Sequence, residues 1–181
     1  MGSRAIYSVI ENGEIHHFYS QWAANEYTPF AVIHTAYNLK KELSLRLTTA
    51  QLMPLIKYNH YFDYEAGFDG YKIFDRIDKK QAEIILSDFA KSAAVNMHIT
   101  LDIDNDKADF EYNRLCYHQL PADFTADFTI SITDGLHYLE QVVEENHSKN
   151  VNLPAVIQRE ISQKLRGLAM PLEQQAPQMN L

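Results

Sequence analysis

Five side chains between His98 and Glu111 hold most of the chemistry available to this sequence: His98, Asp102, Asp104, Asp109 and Glu111. They offer the oxygen and nitrogen donors that suit magnesium or manganese, as in nucleases that hold phosphate against metal with carboxylates, with His98 as ligand or general base. Asn96 to Asn113 reads as a hairpin folded about Asn105-Asp106. With a two-residue loop, Ile103 faces Ala108, Leu101 faces Phe110 and Ile99 faces Tyr112 on an apolar side. The other side then sets His98 against Asn113, Thr100 against Glu111 and Asp102 against Asp109. Two carboxylates opposed at ~5 Å repel by roughly 0.8 kcal/mol in bulk water and ~3 kcal/mol at the effective dielectric of a protein surface. A cation would remove that cost, and three sources stay open: a metal ion held by Asp102, Asp104 and Asp109, a Lys or Arg of this chain, or a basic partner. The Asp102, Asp104, Asp106 series is not a calcium loop, because Lys107 and Asn113 stand where that loop needs Gly and a bidentate Glu.

Other reactive side chains lack supporting context. His16 and His17 are adjacent on a strand, so they point to opposite faces and cannot share one ion. His34, His60, His118, His137 and His147 belong to no His-Glu-x-x-His pair and no recognisable triad. Cys116 reads as a small buried hydrophobe on one strand face with His118. From Tyr58 to Phe74 the chain is dense in aromatics, with Tyr61, Tyr64 and Tyr71 as candidate interface anchors. Interleaved Asp and Glu deny that segment the basic residues of a nucleic-acid stacking platform. Six glycines in all, with neither a Walker pattern nor a dinucleotide fingerprint, disfavour the familiar nucleotide sites.

The elements that must position these residues alternate in type. Asn12-Gly13 is a strong type I′ signal joining strands at Arg4–Glu11 and Glu14–Trp22. Both faces of that hairpin are apolar, Ile6, Ile10, Ile15 and Tyr19 on one and Tyr7, Val9 and Phe18 on the other. Thr28-Pro29 starts a helix through Val32, Ala36, Leu39, Leu43 and Leu47, and Thr48 or Thr49 opens a shorter turn towards Pro54. Asp78 and Gln81 form a capping-box variant before a helix carrying Ala82, Ile85, Leu86 and Phe89. A strand follows at Phe128, Ile130 and Ile132, then helices through Leu136–Val143 and Ile157–Leu168. The pattern predicts one α+β domain over residues 1–170, antiparallel hairpins in two groups packed with about four helices, and a disordered tail from 171 to 181.

Composition narrows the function classes. The chain has 181 residues and a net charge of −8, with thinly spread Lys and Arg, which argues against general nucleic-acid binding through phosphate contacts, and no direct sequence-specific DNA binding is expected. Acidity concentrates between Asp102 and Asp127, with seven acidic residues against Lys107 and Arg114. One cysteine excludes an intramolecular disulfide, and the lack of a signal-peptide pattern or membrane span points to the cytoplasm.

The opening Met1-Gly2-Ser3-Arg4-Ala5, the hairpin ending Phe18-Tyr19-Ser20-Gln21-Trp22 and the helix start at Thr28-Pro29 resemble small uncharacterised proteins of phages and mobile elements, over about the first 35 residues. Ala23-Ala24-Asn25 departs from that pattern, where a glycine-rich stretch is expected. What the resemblance implies is context: such proteins include anti-CRISPR inhibitors that occupy nucleic-acid grooves of RNA-guided nucleases in a bacterial cell. The leading expectation is thus a non-enzymatic, cofactor-free binding protein that docks Asp102, Asp104, Asp109, Glu111 and Asp127 on a basic groove. Its alternative is a magnesium- or manganese-dependent nuclease using His98, Asp102 and Asp109.

Overall fold

Asn12 and Gly13 both take positive φ, 57° and 75°, as a two-residue type I′ connection requires. That turn pairs β1 (Ala5–Glu11) with β2 (Glu14–Ser20) from Glu11 opposite Glu14 to Ala5 opposite Ser20. The structure is a computed structural model describing residues 3–56, 72–117, 127–147 and 155–169. After β2 come α1 (Tyr27–Glu42), α2 (Thr49–Leu52), β3 (Asp75–Ile77), α3 (Lys79–Asp88), β4 (Met97–Asp102), β5 (Lys107–Tyr112), α4 (Arg114–Tyr117), β6 (Phe128–Ser131), α5 (Ile132–His147) and α6 (Ala155–Leu168). The strands form one sheet in the order β3-β2-β1-β4-β5-β6. The α+β class is as the pattern predicts. Instead of two groups of strands, however, the two hairpins join through a parallel pairing of β1 with β4, Ala5 opposite Met97 through Ile10 opposite Asp102.

Local signals set most helix starts. Thr48 and Gln51 complete a reciprocal capping box on α2, and Asp78 and Gln81 do the same on α3, each satisfying two otherwise orphaned amides. Helix α1 begins earlier than Thr28-Pro29 suggests, at Tyr27, and Asn25 Oδ1 accepts the Thr28 amide at 2.7 Å. It also stops sooner: Ser44 takes φ 51°, leaving Leu43 and Leu47 outside the helix. One sheet face carries Tyr7, Val9, Phe18, Ile99 and Phe110 into a core closed by α1, α2, α5 and α6. Phe110 and Phe128, opposed on β5 and β6, stack at 4.5 Å between centroids, worth about 0.5–1.5 kcal/mol beyond their area. On the other face α3 packs against β2, and Ile6 and Ala82 are fully buried.

The second hairpin differs from its predicted register by two residues. Leu101 faces Ala108, Ile99 faces Phe110, His98 faces Glu111, Thr100 faces Asp109 and Asp102 faces Lys107. The connection is four residues, 103–106, and of these Asp106 alone has positive φ, 53°, so the type I′ turn that would set the tighter register does not form. An even shift leaves every side chain on its original face. Hydrophobic alternation therefore cannot tell the two registers apart, whereas charge can: the observed one replaces an Asp-Asp opposition with Asp-Lys. Of the aromatic segment, the part through Tyr71, with Tyr61, Tyr64 and Tyr71, lies outside the described residues, as does the tail from 171, whereas Phe74 is fully buried edge-on to Tyr7 and Phe18.

Candidate functional site

The face of β4 and β5 turned away from the core presents His98, Thr100 and Asp102 beside Glu111, Asp109 and Lys107, continued by Thr129 and Ser131 of β6. Glu111 and Lys107 are exposed and Asp102, Asp109, His98 and Thr100 half-buried, alternating with buried Ile99, Leu101, Ala108 and Phe110. Asp102 and Asp109 are not opposed, and the cation beside both is the chain's own Lys107. Its Nζ lies 2.9 Å from Asp109 Oδ2, and it stands opposite Asp102. The hydrogen bond and charge of Asp109 hold the Lys107 ammonium above its ordinary range.

The remaining aspartates of the hairpin act as backbone acceptors. Asp102 Oδ1 accepts the Asn105 amide at 3.0 Å, folding the loop on itself. Asp104 reaches the first hairpin, its two oxygens accepting the Asn12 and Gly13 amides at 2.7 and 2.8 Å. Asp106 Oδ1 accepts the Thr133 amide and hydroxyl, each at 2.8 Å, and Oδ2 accepts Ser131 Oγ. Partial burial opposes ionisation there, but those three hydrogen bonds outweigh it and hold the Asp106 carboxyl below its usual value. Asp127 Oδ1 accepts the Tyr112 amide at 3.0 Å.

This division of labour bears on the metal reading. His98, Asp102 and Asp109 share a face, yet each is committed to a different partner: Glu111 and Ser8, Asn105, and Lys107 with Thr129. Asp104 turns to the other hairpin. Among the described residues no group of three His, Cys, Asp or Glu side chains is placed to hold a metal ion.

The parallel pairing of β1 with β4 creates a constellation that neither hairpin shows alone. Glu111 Oε2 lies 2.6 Å from His98 Nδ1, His98 Nε2 lies 3.0 Å from Ser8 Oγ, and Ser8 Oγ lies 3.0 Å from His17 Nδ1. Burial first, and then the nearness of His98, push the His17 imidazole below its ordinary value, with Glu83 of α3 pulling weakly the other way. The Glu-His-Ser order matches a hydrolase triad in connectivity. Ser8 is only 6% exposed, however, on an interior strand paired on both sides, so its neighbouring amides serve the ladders rather than an oxyanion. Ser8 carried one sequence signal: a serine among Ile6, Tyr7, Val9 and Ile10 needs a bonded partner for its hydroxyl once that strand is buried.

The histidines and the cysteine resolve as local contacts. His16 points away from His17, as adjacent strand residues must, with Glu14 at 3.3 Å and Arg76 at 2.9 Å. His34 of α1 lies 3.9 Å from Glu140 of α5, and burial lowers its imidazole despite that carboxylate. Cys116 sits in α4 rather than on a strand, half-buried, with its thiol raised by burial. His60 and His118 lie outside the described residues. Compared with known proteins, the chain matches no family model, no curated protein and no solved structure.

Proposed function

We propose that this protein is a non-enzymatic binding protein that docks the outer face of β4 and β5 onto a basic surface of a nucleic-acid-handling partner and so blocks it. The observation that carries this reading is the composition of that face. Asp102, Asp109 and Glu111 share it with one Lys, Lys107, and no Arg among the register positions of β4, β5 and β6, in a chain of net charge −8. Grooves that hold nucleic acid do so through Lys and Arg, and complementary charge gives fast, salt-sensitive association. The resemblance of the first 35 residues to mobile-element proteins supports a host-defence setting, in which an RNA-guided nuclease is the first partner to try. Asp104 and Asp127 lie outside the register positions of β4, β5 and β6 and bond the amides of Asn12, Gly13 and Tyr112, so the docking set is restricted to Asp102, Asp109 and Glu111. The metal-dependent nuclease has no comparable support, since its carboxylates do not converge.

The test is the salt dependence of binding to a partner captured from the source cell, measured for the wild type and for the Asp102→Asn, Asp109→Asn double variant. The variant should associate more slowly and with a shallower salt slope, most of the difference vanishing at high salt. Equal affinity with an equal slope would remove the acidic-docking reading.

A further inference from the structure

Ser8 stands between two imidazoles, and its single hydroxyl hydrogen restricts how many protons the three groups can hold. An ionised Glu111 only accepts, so His98 Nδ1 is the donor across their 2.6 Å contact. With His98 neutral, its Nε2 is a bare acceptor and takes the Ser8 hydroxyl hydrogen over 3.0 Å. Ser8 Oγ then accepts from His17, whose hydrogen must be on Nδ1. Now add one proton to His98 Nε2. That nitrogen becomes the donor to Ser8, the hydroxyl turns to His17 Nδ1, and His17, still neutral, must carry its hydrogen on Nε2. A second proton breaks the arrangement, because Ser8 would face two donors and its own hydrogen would have no acceptor.

We propose that Glu111, His98, Ser8 and His17 form a one-proton relay that places a positive charge on the docking face in mild acid and thereby regulates the binding proposed above. The proton belongs on His98, where Glu111 is its direct partner. His17 faces only mixed neighbours: His98 across Ser8, His16 beside it on its own strand, and Lys79 and Glu83 of α3. Farther along the face of β5, Asp109 is already matched by Lys107. A charge on His98 cancels that of Glu111, the most exposed acid of the face, with side-chain exposure of 53%. The regulatory step rests on the docking reading, whereas the relay stands without it.

Nitrogen-15 NMR of the histidine rings in the full chain tests the relay, because ring shifts report which nitrogen carries the hydrogen. As the pH is lowered from about 8 to about 5, His17 should exchange its Nδ1–H tautomer for the Nε2–H tautomer while His98 becomes protonated. In Ser8→Ala that exchange should vanish. A His17 that keeps one tautomer while His98 titrates, or a Ser8→Ala variant that still exchanges, overturns the relay. Binding of an octaarginine peptide tests the regulation: wild-type affinity should fall about two- to five-fold over the same range, and that of His98→Gln should not. Equal pH dependence in both proteins overturns the regulation, and a peptide that binds at no pH overturns the docking reading while leaving the NMR result to decide the relay.

Discussion

Asp106 does for α5 from a distance what a residue at the helix start ordinarily does. Its carboxylate takes the Thr133 amide and hydroxyl and the Ser131 hydroxyl, so a hairpin loop adds a second cap beside Ser131, the residue before α5, whose Oγ accepts the Asp134 amide at 3.3 Å. Replacing Asp106 by Ala should therefore cost about 1 kcal/mol at neutral pH, as other cap losses do. Because the folded carboxyl is held below its unfolded value, this stabilisation is complete above about pH 4 and fades as the pH falls through the lower folded value. Urea unfolding of wild type and Asp106→Ala should show a gap at pH 7 that narrows in acid. A gap independent of pH would show that the carboxylate is not the capping group.

At the scale of elements, the approach of α5 to α1 depends on an absent side chain. Gly135 lies in the first turns of α5, and a Cβ there would fall on the ring of Phe30, which is itself fully buried in α1. Ala in place of Gly gains helix propensity, up to about 1 kcal/mol. The new methyl is fixed to the backbone, and the ring it meets is enclosed by core, so overpacking of about 1–3 kcal/mol opposes that gain. Gly135→Ala should be net destabilising in thermal or chemical unfolding, and adding Phe30→Leu should recover part of the loss. A variant more stable than wild type would show that the two helices separate at little cost.

Across the whole molecule, one buried acid ties the last helix to the first. Glu26, 4% exposed at the start of α1, accepts from the Tyr112 hydroxyl of β5 and the Arg166 guanidinium of α6, and the guanidinium also lies over the Tyr112 ring at 5.1 Å. Truncating Arg166 to Met leaves the carboxylate buried without its ion-pair partner, at a cost of about 3 kcal/mol. Neutralising both with Glu26→Gln and Arg166→Met should cost less than Arg166→Met alone. Denaturant unfolding of the single and double variants decides it, and additive losses would show that the pair is not coupled.

What the sequence determined by itself is what neighbours along the chain can settle. Asn12-Gly13 set the turn and register of the first hairpin, because both residues accept the positive φ of a type I′ connection, although β2 ends at Ser20 rather than Trp22. The Thr48–Gln51 and Asp78–Gln81 boxes fixed two helix starts, and alternation assigned every side chain of β4 and β5 to its correct face. Tertiary structure decided the rest. The register of the second hairpin turned on a two-residue slip that alternation cannot detect, settled where Asp104 grips the first turn, Asp106 caps α5 and Lys107 meets Asp102. The Ser8 relay needed residues about 90 positions apart to become neighbours, and no local pattern announces the parallel pairing of β1 with β4. Period-two patterning specifies which face a residue takes, but which strand lies beside which is decided by long-range packing and by where carboxylates find backbone donors.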